Sequence, residues 1–270
     1  MDAQHRQVAF RLSEVDHRYG PSVHLLSDPL DLTLLARLCQ KGVVQPEVSS
    51  IVAQLYRGLA HSVVSAEFPR RLTSVPTRMI DSTPLGVWNG EVVADDTRTV
   101  VVALARAGLV PAQVTYDFLH RVLRPDVVRQ DHLSLGRATD PAGRVTGAIL
   151  GAAKIGGPID DSVVLIPDPM GATGSTVSTA LAHYRKTGAE PPAKIIAMHL
   201  IVTPEYLKRV SAEASAVVVY ALRLDRGLSS PEVLQSVPGS RWDEERGLDG
   251  HHYIVPGGGG LGEVLNNSFV

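Results

Sequence analysis

The sequence predicts an α/β fold, a mostly parallel twisted sheet flanked by helices and preceded by a helical region. Two observations carry this. Short β-branched runs recur at 98–104 (RTVVVAL), 161–168 (DSVVLIPD), 193–202 (AKIIAMHLIV) and 215–224 (SAVVVYALRL). Their near-continuous apolar character is that of strands buried on both faces. Stretches of helical spacing lie between them, and strand–helix alternation calls for right-handed crossovers and parallel pairing.

The elements follow in order. Residues 1–22 form a polar N-terminal arm of mixed charge, either loose or docked. Helical spacing then dominates from Leu30 to Leu72: Leu30, Leu34, Leu35 and Leu38 share one face, and Ile51, Leu55, Leu59 and Val63 another. Pro46 separates the two candidate helices. After the 98–104 strand, Arg106-Ala107-Gly108 makes a glycine turn into a helix around 110–123. The 161–168 strand likewise leads through a turn into a helix over 175–188, with Gly188 as its stop. TPEYLKRVSAE at 203–213 reads as a helix capped by Thr203 with Pro204 at its first position. Residues 226–250 are polar and break the rhythm with Pro231 and Pro238, so they read as an inserted flap. The whole, 1–270, reads as one domain.

Bulk properties exclude several classes. A net charge of −2 gives no general attraction to nucleic acid or anionic membrane. Cys39 is the single cysteine, so no intramolecular disulfide forms and a reducing cytoplasm is the expected location. The first ten residues lack the apolar core of a signal peptide. No apolar run approaches the roughly 20 residues of a membrane-spanning helix, so a soluble protein is expected.

The chemistry concentrates at 166–176, IPDPMGATGST. A buried strand delivers Asp168 to its carboxyl end, where ligands of open α/β sheets bind. Ala172-Thr173-Gly174-Ser175-Thr176 then opens a helix, whose free amides and dipole favour an anion. Asp168 repels phosphate but suits ribose hydroxyls or hydrated Mg²⁺. Acid and cradle together suit a sugar phosphate. On composition alone, a plain capped turn fits equally well. There is no Walker A motif. GGGGLG at 257–262 formally fits G-x-G-x-x-G, but the eight residues after it cannot supply the helix and acid of a dinucleotide site. His251 and His252 are adjacent and unsuited to one metal.

VVLIPDPMGATGST resembles the phosphoribosyl-pyrophosphate signature of type I phosphoribosyltransferases, and its Asp-Pro-Met and Ala-Thr-Gly resemble the uracil phosphoribosyltransferase branch. VHLLSDPL at 23–30, RRLTSVPTRM at 70–79, VVVALARAGLV at 100–110 and HHYIVPGGGGLGE at 251–263 resemble other segments of that family in the same order. The resemblance implies a β-arm at 79–98, a homodimer or higher homo-oligomer, and Mg²⁺ carried with phosphoribosyl pyrophosphate. By resemblance, Arg106, Ala107 and Gly108 lie against pyrophosphate, and Arg137 supplies a second arginine although the usual preceding aromatic is Gly136 here. Asp168 takes the ribose hydroxyls, and Ala172, Thr173, Gly174, Ser175 and Thr176 the 5′-phosphate. Main-chain groups around Tyr253, Ile254, Gly259 and Gly260 would read the base, with Tyr253 alternatively a core or interface residue.

One departure stands out. The family pattern ends in an acid where this chain has Gly260, and Glu263 is the next acid available. The expected activity is formation of UMP and pyrophosphate from uracil and phosphoribosyl pyrophosphate, by positioning and charge stabilisation with Asp168, Arg106 and Arg137. No G-x-S-x-G or Cys/His nucleophile is present. The open alternatives are a non-catalytic nucleotide sensor of the same fold and an enzyme for another base.

Overall fold

A computed structural model describes residues 5–139, 145–186 and 190–268; at 137–139 and 145–148 only the backbone is described. The central sheet runs β1 (Val23–Leu25), β10 (Val217–Leu224), β9 (Lys194–Val202), β7 (Val163–Pro167), β4 (Thr99–Ala105), β5 (Val128–Thr139) and β6 (Val145–Lys154). Every pair is parallel except β5 with β6. The two-residue β8 (Met170–Gly171) adds to the end of β9.

The four predicted strands appear as β4, β7, β9 and β10. Each is buried on both sides because helices cover both faces. In β4 the alternation is explicit: Val101 and Ala103 face one core, and Val100, Val102 and Leu104 the other. The first core is closed by α1 (Pro29–Leu38), α2 (Glu47–Glu67) and α3 (Leu109–Leu119). Asp28 caps α1 by accepting the Leu30 and Asp31 amides. Buried Leu55, Leu59 and Val63 form the predicted α2 stripe; each such side chain contributes about 1.5–3 kcal/mol. α4 (Ser175–Lys186) and α5 (Pro204–Glu213) cover the other face through Leu181, Tyr206 and Val210. Thr203 caps α5 as predicted, accepting the Tyr206 amide at 3.0 Å. Gly188, the expected stop of α4, lies outside the described residues.

The antiparallel β5–β6 pair has no counterpart among the predicted elements. Its inward-facing positions include Asp131, fully buried because Arg129 binds both carboxylate oxygens and the Tyr184 hydroxyl donates at 2.8 Å. An acid on the inner face hides the alternation that marks a strand.

The arm at 70–93 is a hairpin of β2 (Arg70–Pro76) and β3 (Val87–Val93). Its first strand therefore falls on RRLTSVP, ahead of the expected 79–98. Leu72, Val75, Met79, Ile80 and Leu85 on it are exposed.

Residues 5–19 dock rather than hang loose: the Glu91 amide donates to the Arg6 carbonyl, Arg70 to the Val8 carbonyl, and Phe10 sets its ring edge-on to His61. Residues 226–250 fold down against the body. They carry α6 (Pro231–Leu234) and a 3₁₀ turn at Trp242–Glu244. Buried Glu245 pairs with buried Arg226 at 2.9 Å and accepts from the Tyr19 hydroxyl. The Trp242 indole donates to the Pro204 carbonyl at 3.0 Å. A short helix, α7 (Leu261–Asn266), closes the chain against α2.

Candidate active site

The carboxyl ends of β4 and β7 open into a cleft of about 290 Å³. Asp168, Ala172, Thr173, Ser175 and Thr176 line it on one side, Arg106 and Ala107 on another, and Tyr253, Ile254, Gly259 and Gly260 on a third. Three segments far apart in the chain thus converge on one cavity.

The phosphate-type loop is built on regular structure. The Asp168 amide donates to the Met198 carbonyl at 3.0 Å, which continues the β7–β9 pairing past the strand end. Below it His199 is fully buried. Its Nδ1 lies 2.5 Å from the Asp168 carbonyl and its Nε2 2.6 Å from the Tyr206 hydroxyl. Burial pushes the imidazole down to about 4, so the neutral ring donates from Nδ1 to the carbonyl and accepts from Tyr206 at Nε2. The Thr203 hydroxyl holds the Ala172 carbonyl at 2.7 Å. The Thr173 and Ser175 hydroxyls lie 2.9 Å apart, and α4 starts directly behind them. Helix N-terminal amides, paired hydroxyls and the helix dipole form a ready anion site.

Asp168 stands partly exposed at the floor of this cleft. Desolvation pushes its carboxyl up to about 7, opposed by the Met170 amide. Among the described residues no cationic partner offsets that burial cost, a pattern typical of a carboxylate placed for function rather than for stability.

Two of the expected residues sit behind the cleft rather than in its lining. A side chain on Gly108 would lie 2.7 Å from the Leu104 carbonyl and 3.0 Å from that of Pro167, so this glycine lets the Arg106 turn press against β7. Gly174, at φ +78°, packs on Arg209 and Val210. The Arg106 side chain is exposed and its Nη1 donates to the Ser268 Oγ at 2.9 Å. The Ala105–Arg106 peptide is cis. For Arg137 the side chain lies outside the described residues; its backbone continues β5 next to Gly136, which lines the cleft.

The C-terminal loop is irregular. Asp249 accepts the His251 and Tyr253 amides at 2.8 and 2.9 Å, which hold its carboxyl below the usual range. Glu205 accepts the amides of Gly247 and Leu248. Gly257 and Gly259 both take positive φ, the conformation glycine adopts without strain. Tyr253 stands at the cleft, 37% exposed, so it is not a core residue. Next to it Ile254 is buried. The Glu263 carboxylate folds back over Gly260: a side chain there would meet the Glu263 Cδ at 2.9 Å. Glu263, His251 and His252 also line the cleft. Missing from the expected set were His199 and Tyr206, whose only sequence signal is a polar residue inside an apolar strand and an aromatic one turn into the next helix.

A mostly parallel sheet, an arginine turn after one strand and an acid followed by a hydroxyl-rich helix N-terminus after its neighbour define a type I phosphoribosyltransferase fold. The family model for uracil phosphoribosyltransferase matches residues 25–240. This chain belongs to that family. It is similar to the uracil phosphoribosyltransferase of Rhodococcus jostii, 26% identical over 247 residues covering 90% of this chain and 97% of the relative. It is also similar to that of Mycoplasma genitalium, 25% identical over 211 residues covering 78% and 85%. A solved structure from Aquifex aeolicus shares the fold at a TM-score of 0.67 and 20% identity, covering 90% of this chain and 97% of that one.

Proposed function

We propose that the protein is a uracil phosphoribosyltransferase, forming UMP and pyrophosphate from uracil and phosphoribosyl pyrophosphate. The observation that carries this is the meeting of three loops at one cleft: an anion cradle with an acid, an arginine turn, and a glycine-rich tail. In this reading the 172–176 loop takes the 5′-phosphate, and Asp168 takes the ribose hydroxyls. Arg106 and Arg137 take the pyrophosphate, and main-chain groups at Tyr253, Ile254, Gly259 and Gly260 take the base. A pyrimidine N–H nitrogen bonds to the anomeric carbon as that carbon's bond to pyrophosphate breaks; the bonding electrons leave on pyrophosphate, and the nitrogen's proton is released to solvent or to the leaving pyrophosphate. The chain's contribution is to orient the reactants and stabilise the leaving charge. Arg106 meets that need as a permanent cation that can grip phosphate with two N–H groups.

Magnesium fits the donors at this cleft, because Asp168 and Glu263 offer the oxygen ligands a hard cation takes. Among the described residues no group of three or more His, Cys, Asp or Glu forms a metal cluster; in this reading the ion is carried with phosphoribosyl pyrophosphate. When bound, it neutralises pyrophosphate charge. Glu263 would supply the acid that Gly260 lacks, since its carboxylate occupies the space a side chain at 260 would need.

A homodimer or higher homo-oligomer in a cytoplasmic setting completes the reading. The exposed apolar hairpin supports self-association. Among the described residues no helix is long and apolar enough to cross a membrane.

The test is to mix protein, uracil, phosphoribosyl pyrophosphate and Mg²⁺ and measure UMP. Turnover is expected, and it should be strongly reduced in Glu263→Gln. Absence of turnover in the native protein with every free base tried overturns the enzyme reading. One observation favours a second reading, a nucleotide-binding sensor: the base loop at 251–263 lies beyond the 25–240 match and departs from the family pattern at Gly260. Tight UMP binding without turnover would select it.

A further inference from the structure

We propose that Arg223 and Asp225 are positioning residues for base recognition: together they grip Gly257 by both of its backbone groups and so set which main-chain atoms the 253–260 loop turns toward the cleft. This rests on the reading that this loop receives the base.

β10 ends in Arg223-Leu224, and Asp225 follows. The Arg223 guanidinium meets the Asp225 carboxylate with two bonds, 2.6 Å from Nε and 2.8 Å from Nη2. Asp225 is 2% exposed, and Arg223 is half-buried. The same carboxylate accepts the Gly257 N–H at 2.7 Å, while Arg223 Nη2 donates to the Gly257 carbonyl at 3.0 Å. One ion pair therefore satisfies the donor and the acceptor of a single loop residue. Gly257 has φ +61°, so the grip falls on a residue in the left-handed conformation that glycine adopts without strain. Beside it, a side chain on Gly258 would lie 2.9 Å from Cys39 Sγ, and Arg223 Nη1 points at that sulfur from 3.8 Å. The loop's midpoint is thus seated between the end of β10 and the C-terminal cap of α1.

The location of the grip gives it a function. Tyr253 and Ile254 before it, and Gly259 and Gly260 after it, line the cleft, whereas Gly257 and Gly258 do not. A loop held at its midpoint from behind presents both flanks to the cavity in one orientation. A buried ion pair is weak support for stability, since desolvation offsets its attraction, and fixing a register is its best-attested use. Backbone readout of a planar base needs amides and carbonyls fixed in direction, and a run of four glycines cannot fix them by itself.

The experiment compares Asp225→Ala and Asp225→Asn with the native protein by calorimetric titration of UMP and, separately, of ribose 5-phosphate. Hydrogen exchange of the 253–260 segment is measured alongside. Asp225→Ala is expected to weaken UMP about 10- to 100-fold, as loss of a charged hydrogen-bond acceptor implies, and to leave ribose 5-phosphate unchanged. Asp225→Asn, which keeps an acceptor oxygen, should fall between the two and guards against misfolding of the alanine variant. Exchange at Gly257 should rise in the same order. Unchanged UMP affinity, or equal weakening of both ligands, overturns the proposal. Should the native protein bind ribose 5-phosphate and not UMP, the functional reading fails; the exchange data still decide the grip, and exchange at 253–260 that is the same in all three proteins overturns it.

Discussion

The two walls of the cleft are held in opposite ways. The 168–176 cradle rests on strand pairing and neutral groups: the Met198 carbonyl, the His199 ring, the Thr203 hydroxyl. The 247–257 wall rests on three carboxylates, each accepting loop amides: Glu205 from Gly247 and Leu248, Asp249 from His251 and Tyr253, Asp225 from Gly257. Neutral supports leave the cradle's positive helix terminus undiminished for a phosphate. On the other wall Asp225 is neutralised by Arg223, while Glu205 and Asp249 leave negative charge that disfavours an anion and tolerates an uncharged ring. This contrast agrees with the proposed reading, in which the first wall is the phosphate end and the second the base end.

The strongest way to break this contrast is at Asp168. Asp168→Asn should lower kcat/KM by about 10²- to 10³-fold, the range for losing one aligned electrostatic group, as measured by UMP formation. His199→Ala comes next. It orphans the buried Asp168 carbonyl and the Tyr206 hydroxyl, and should cost about 2–4 kcal/mol in urea unfolding, with KM for phosphoribosyl pyrophosphate rising more than that for uracil. Glu205→Gln tests the opposite wall and should show the reverse split, raising KM for uracil several-fold with little change for phosphoribosyl pyrophosphate. If both variants raise the two constants alike, the walls are not independent.

The smallest effect is a pH signature. The Asp168 carboxyl is raised from 3.8 to about 7 by burial. Between those values the folded chain keeps a proton that the unfolded chain has released, so stability falls as pH rises from about 4 to 7 and stays lower above that. Asp168→Asn escapes this loss and should melt a few degrees above the native protein at pH 8, with no gain at pH 4. In the native enzyme kcat/KM should rise as Asp168 ionises near pH 7.

Much of this was legible in the sequence, and the reasons it was or was not are physical. β4, β7, β9 and β10 announce themselves because burial on both faces demands unbroken apolar runs. Thr203-Pro204 announces α5 because capping chemistry is local. β5 stayed hidden because Asp131 sits inside it, tolerated through Arg129 two residues before it and through the Gly156 amide and Tyr184 hydroxyl further along the chain. The β2–β3 hairpin stayed misplaced because β2 is exposed along nearly its whole length and so carries no hydrophobic period. At the site, Asp168 and its hydroxyl-rich loop are contiguous and could be read directly. The Arg223–Asp225–Gly257 grip joins β10 to a loop some thirty residues on, and pairings of that kind leave no local trace.

The bond between the Tyr19 hydroxyl and Glu245 joins positions 226 residues apart. A chain emerging from the ribosome makes the tyrosine 226 residues before the glutamate. β1 meets the same delay, because its partner β10 is synthesised nearly two hundred residues later. Tyr19 and β1 must therefore wait for these partners while the intervening chain is made, and long-range closures of this kind slow folding and leave strand edges exposed meanwhile. Truncation ahead of Glu245 would remove it along with the 247–257 wall, so Tyr19 and Arg226 would both lose the carboxylate that joins them.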